Sequence, residues 1–181
     1  MSIPIFLSYP RPHMIEQEAF IEALKGYLRD QGLEPRTLGV TDYDMDTPLK
    51  AVRRLMLESN GVITIAFKRL HIEQGVNKYA SNIAGNQPSL IQDQWITSPW
   101  CHIEPAMAFQ LGLPILVFRE QGVLEEGILE RGVVGLYMPE FSLTEGPEHY
   151  LKQPQWRQLL SKWEGYIRAV VDAKGQPPRL Y

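Results

Sequence analysis

The chain alternates short, mostly apolar runs with longer stretches in which apolar residues recur every three or four positions. "IPIFLSY" (3–9), "VITIAF" (62–67) and "PILVF" (114–118) are runs of the first kind, and "VVGLYM" (133–138) is a weaker one. Continuous β-branched runs of this length mark strands buried on both faces of a parallel sheet. "EPRTL" (34–38) is a weak strand candidate. Residues 14–31 place Phe20, Ile21, Leu24, Tyr27 and Leu28 at helical spacing before Gly32 stops the helix. Residues 48–59 repeat the pattern with Leu49, Val52, Leu55 and Met56, up to Asn60-Gly61. A last helix over 153–173 carries Trp156, Leu159, Leu160, Trp163, Ile167, Val170 and Val171. Strands alternating with helices predict an α/β chain: a three-layer, open parallel sheet of about five strands with helices on both faces. The 181 residues fit a single domain, 1–181.

Residues 68–98 break the rhythm. They connect "VITIAF" to the next helix without clear periodicity and read as a long loop, either covering a substrate or making an interaction insert. The helix that follows lies in "TSPWCHIEPAMAFQLG". Ser98 then Pro99 is a good start, serine capping and proline at the first helical position, and Gly112 marks the end. At about 100° per residue, Trp100, Glu104, Ala108 and Leu111 share an arc of about 80°. Glu104 therefore leaves the helix on the same face as a tryptophan. Glutamate is rarely buried unless paired, so Glu104 either lines a cavity or neutralises a hidden cation. Pro105 leaves two helix starts open. With Ser98 as cap, the proline removes a hydrogen bond and bends the helix; otherwise regular helix begins near Glu104.

Composition narrows the classes. Hydrophobic residues make up 44% and charged residues 22%, as in ordinary globular chains. Lysine and arginine (18) do not outnumber aspartate and glutamate (21), and adjacent pairs such as Lys68-Arg69 read as solvated surface, so no nucleic-acid partner is expected. One cysteine, Cys101, excludes an internal disulfide and a multi-cysteine zinc site, in keeping with a cytoplasmic location. "MSIPIFLSYP" lacks the basic start of a signal peptide, and no apolar run approaches the ~18 residues of a membrane span. His13, His71, His102 and His149 show no metal-ligand spacing, so no metal is expected. Cys101 and His102, adjacent on a helix, do not face one another as nucleophile and base. "HIE" lacks the P-C-x-x-C partner of a zinc deaminase, and neither G-x-G-x-x-G nor a Walker A sequence occurs.

A single carboxylate beside an aromatic ring does not suffice for ordinary glycoside hydrolysis, which uses two. It suffices where the leaving group already carries positive charge. Nicotinamide departs from ribose as a neutral base without an acid, and one carboxylate stabilises or traps the ribose cation. The motifs "IFLSY", "LRDQGLEP", the loop at 39–48, "SNGVITIAF" and above all "SPWCHIEPAMAFQLGLPILVF" resemble those of a TIR (Toll/interleukin-1 receptor-like) domain over about residues 1–170. The resemblance implies a flavodoxin-like TIR fold and, in its enzymatic members, NAD+ cleavage by the glutamate that maps onto Glu104. It implies substrate contacts from Ser8, Tyr9 and Arg11 after the first strand. It also implicates Asp44 or Asp46 in the loop after the second strand, and Ser98 and Trp100 at the helix start. The products would be nicotinamide with ADP-ribose or a cyclic ADP-ribose signal, with NAD+ as substrate and no separate cofactor. "VTDYDMDTP" lacks the Arg-Asp-x-x-Pro-Gly loop of receptor adaptors. Without an attached sensor or receptor segment, the implied setting is a Thoeris-like anti-phage TIR working as a homo-oligomer or filament. The alternatives are a non-enzymatic self-association module and a nucleoside deoxyribosyltransferase-like enzyme.

Overall fold

In a computed structural model, residues 2–134 and 140–173 are described. β1 (Ile3–Ser8), β2 (Leu33–Arg36), β3 (Val62–Ala66), β6 (Ile115–Glu120) and β7 (Glu140–Phe141) form one sheet, in the order β2-β1-β3-β6-β7. Every pairing in it is parallel. This is the doubly wound flavodoxin-like order, in which the chain first builds outward to β2 and then returns past β1 to β3. The return leaves a crevice at the carboxyl ends of β1 and β3, where connections diverge to opposite faces.

Side-chain alternation divides the core between two faces. Ile5, Leu7, Ile63, Ile65, Phe67 and Phe118 point to the face covered by α1 (Ile15–Asp30), α4 (Pro147–Lys152) and α5 (Pro154–Asp172). Phe6 and Val62 point to the other, under Val52, Leu55 and Met56 of α2 (Pro48–Leu57) and Ala108 of α3 (Trp100–Gln110). In α5 the buried residues Trp156, Leu160, Trp163, Ile167 and Val170 step by four and three, a single apolar stripe laid on the sheet. That stripe comes so close to the start of β3 that a Cβ on Gly61 would lie 2.8 Å from Ile167 Cγ1. Gly32 and Gly112 end α1 and α3 in left-handed conformations, φ +77° and +67°.

One expectation is corrected. Residues 68–98 are not a structureless connection: β4 (Leu70–Asn77) and β5 (Ser89–Ile96) pair antiparallel into a separate two-stranded sheet. An isolated hairpin is marginal in water, and this one is tied at its base. Arg69 N donates to Ile96 O at 3.1 Å and Leu124 N to Trp95 O at 2.8 Å. Trp95 stacks on His71, centroids 4.4 Å apart, and Lys68 Nζ lies 5.6 Å from its indole. Of "VVGLYM" (133–138), Val133 and Val134 lie in a turn and bend and the rest falls outside the described residues; the fifth parallel strand is Glu140–Phe141. No helix among the described residues is long and apolar enough to cross a membrane.

Candidate active site

Ser8 is the last residue of β1, and its parity with Phe6 turns its hydroxyl toward the α2/α3 face. Across that face stands α3. Its start is built by Ser98, whose Oγ accepts the Trp100 N–H at 3.3 Å, with Pro99 in the first turn. The cap position itself falls to Pro99, one residue later than the sequence placed it. The helix runs unbroken through Pro105 to Gln110, so regular helix does not wait until Glu104. Cys101, Glu104, Pro105 and Ala108 are its buried residues. At this i, i+3, i+4, i+7 spacing, Glu104 belongs to the inward stripe.

Glu104 is 9% exposed, and Ser8 Oγ donates a hydrogen bond to its Oε2. Burial raises its pKa to about 7, with the Ser8 hydroxyl pulling the other way. It makes no ion pair among the described residues. Of the two options left open for this carboxylate, it lines a cavity. The cavity is a cleft of about 460 Å³ in the crevice between the carboxyl ends of β1 and β3. Tyr9, Arg11, Ser98, Trp100 and Glu104 line it together. Trp100, one helical turn before Glu104, keeps 38% of its surface open, enough to offer a ring face to a flat ligand. Ser98 is buried and holds the Trp100 N–H at the helix start.

Asp44 and Asp46 do not join this group. Asp44 accepts from Arg54 Nε at 2.8 Å and from the Asp46 N–H at 2.9 Å, and Asp46 lies 3.9 Å from Lys50 Nζ. Both brace the loop after β2 against α2. Arg36 secures the same loop, reaching Asp42 at 2.5 Å and Glu58 at 2.9 Å. Cys101 is fully buried and burial pushes its thiol up to about 12, which leaves it protonated and inert. His102 lines a different groove with Pro99, Ile103 and Glu126. No cluster of three or more His, Cys, Asp or Glu side chains suited to a metal forms among the described residues.

Two positions at or beside the crevice escaped the sequence reading. Arg69, taken with Lys68 as solvated surface, enters the cleft, because the chain leaves β3 at the crevice. Thr64 is the register partner of Ser8. Its buried hydroxyl has no hydrogen-bond partner among the described residues. The signal was there: a lone hydroxyl inside "VITIAF", in a strand buried on both faces.

Comparison of the sequence with protein-family profiles and with curated proteins finds no match. Among solved structures, the fold is similar to a Clostridium botulinum CMP N-glycosidase, BcmB: TM-score 0.46, 20% identity, 82% of this chain and 95% of that one covered. It is also similar to the TIR domains of the activated Roq1 resistosome, which recognises the pathogen effector XopQ: TM-score 0.39, 14% identity, 66% and 58% covered. At these scores the similarity carries no functional residue across, and what the site can do rests on its own geometry: a desolvated carboxylate, a serine donor and an open indole in one crevice.

Proposed function

We propose that the protein cleaves the N-glycosidic bond of a nucleotide, with NAD+ as its substrate. The observation that carries this reading is Glu104, a carboxylate lifted to about pH 7 by burial, bonded among the described residues by Ser8 alone, and facing a cleft rather than a cation. A charge so poorly solvated is attracted strongly to positive charge that develops beside it. In the reaction the C1′–N bond breaks and its electron pair goes to the nicotinamide ring nitrogen, which becomes neutral. Glu104 stabilises or traps the positive C1′. Water then adds to C1′ and gives up one proton, so that NAD+ and water yield ADP-ribose, nicotinamide and H+. Attack by an adenine nitrogen in place of water gives the cyclic product. Trp100 stacks on the departing ring, and Tyr9 and Arg11 contact the remainder of the substrate. Self-association, a cytoplasmic location and a Thoeris-like anti-phage role belong to the same proposal.

The position of the Glu104 pKa favours one second reading. A carboxyl half-protonated near neutrality also serves as general acid, which a neutral nucleobase requires on leaving. That is the chemistry of a nucleoside or nucleotide N-glycosidase, or of a deoxyribosyltransferase. Incubation of concentrated, crowded protein with NAD+, with CMP and with deoxynucleosides decides between them, followed by chromatography of the released base. NAD+ cleavage rises with pH through about 7, whereas neutral-base cleavage falls over the same range. Release of no base by wild type, or release undiminished in Glu104→Gln, overturns the enzymatic reading and leaves the self-association module.

A further inference from the structure

The crevice over Glu104 does not end at Tyr9. A second chamber, of about 730 Å³, opens between α1 and the loop that follows β2, and Tyr9, Arg11 and Leu38 belong to both. Each chamber falls in the size range of pockets that enclose one nucleoside-sized group. The α1 wall of the second presents Glu18, Glu22 and Lys25, and Lys25 is its distinctive member. Lysine side chains on helices ordinarily extend to water, yet Lys25 is 7% exposed. It sits on the inward stripe with Ile21 and Leu28. Its Nζ is 2.9 Å from Glu22 Oε1 and 5.9 Å from the centre of the Tyr9 ring. Burial lowers its pKa, but Glu22 and Tyr9 outweigh that and hold the ammonium charged. An ammonium has three donors, and Glu22 takes one of them.

The contents of the chamber match a phosphorylated nucleoside. Lys25 and Arg11 offer positive charge where the two chambers meet at Tyr9. Glu18 and Glu22, on the outer wall, accept hydrogen bonds from sugar hydroxyls or an exocyclic amine. We infer that the second chamber is a subsite for the nucleoside-phosphate half of the substrate beyond the scissile bond, with Lys25 as its anchoring cation. The inference rests on the N-glycoside reading above. It adds that the enzyme is built for a dinucleotide and recognises its two halves on opposite sides of the Tyr9 ring. Lys25 therefore governs affinity, whereas Glu104 governs turnover.

The test uses AMP, which lacks the scissile half. Calorimetry measures AMP binding to wild type, Lys25→Met and Glu18→Gln, and nicotinamide release gives KM and kcat for NAD+ in the same proteins. Removing the Lys25 charge strands no buried partner, because the Glu22 side chain is 69% exposed; Glu18→Gln alters only an exposed position. AMP binds wild type and competes with NAD+. Lys25→Met weakens AMP and raises KM about tenfold, the effect of losing one charge-assisted hydrogen bond, while kcat stays within about twofold. Glu18→Gln shifts both in the same direction by less. Undetectable AMP binding, AMP binding indifferent to both substitutions, or a fall in kcat with KM unmoved overturns the subsite. Absence of nicotinamide release overturns the N-glycoside reading alone, since Lys25-dependent AMP binding still establishes the subsite.

Discussion

Replacing Glu104 with glutamine should abolish turnover and stabilise the fold above neutral pH. In the unfolded chain this carboxyl loses its proton near its ordinary value of 4.5; in the folded chain it holds it until about 7. Between those values the native state binds a proton that the unfolded state has released. Stability therefore falls as pH rises through the window. At about 1.4 kcal/mol per pH unit, the rise from 4.5 to about 7 corresponds to roughly 3 kcal/mol lost by pH 8. Glutamine has no proton to lose and escapes this term. Its carbonyl still accepts from Ser8, and the new NH2 costs about 1 kcal/mol if unsatisfied. The net gain at pH 8 is about 2 kcal/mol. Below pH 4.5 the carboxyl is protonated in both states, and the substitution gains nothing. Urea unfolding of both proteins at pH 4.5 and pH 8, followed by circular dichroism, reads the difference with other titrating groups cancelling. A structural carboxylate held by a partner would give the opposite sign. Glu104→Gln less stable than wild type at pH 8, or an offset equal at both pH values, would refute the reasoning.

Ser8→Ala removes the donor that favours ionised Glu104. The rising limb of NAD+ cleavage moves to higher pH and the rate at pH 7 drops, as nicotinamide release from pH 5.5 to 9 will report. Trp100→Ala raises KM for NAD+ about tenfold through lost stacking, whereas Trp100→Phe stays near wild type. Thr64→Val replaces a buried hydroxyl that lacks a partner among the described residues with a methyl group of nearly the same shape. It gains about 1 kcal/mol in urea unfolding. Gly61→Ala pushes a methyl group against Ile167 and Trp163 and costs about 1–3 kcal/mol; a melting temperature equal to wild type would contradict the close packing of β3 on α5.

The sheet and its covering helices were legible because burial stamps a period on the sequence. β1 and β3 are apolar but for Ser8 and Thr64, and α1, α2 and α5 each carry one stripe. The β4–β5 hairpin left no such mark. It packs on no core, so Leu70, Ile72 and Val76 share a face with Gln74, Gln92 and Gln94, and the alternation blurs. β7 has only two residues, too short for any period. Within the site, Glu104 was legible because a carboxylate on an apolar arc is an anomaly. Lys25 is the same anomaly, three residues before Leu28 on a stripe that begins at Gln17, but a lysine in an amphipathic helix passes for surface. Arg69 was missed for a different reason. Its place in the cleft depends on where β3 ends relative to β1, which is a property of topology and not of local pattern.

The pairing of Ser8 with Thr64 and the bond from Ser8 to Glu104 have a consequence for how the chain fails. Neighbouring residues of a strand face opposite ways, so a one-residue slip of β1 against β3 would exchange the two faces. Leu7 would then meet Glu104 and Ser8 would enter the core. Such a misfolded molecule would keep much of its secondary structure and lose both its stability and the hydrogen bond from Ser8 to Glu104. The register that makes β1 and β3 a sheet is therefore the same register that brings Ser8 to Glu104.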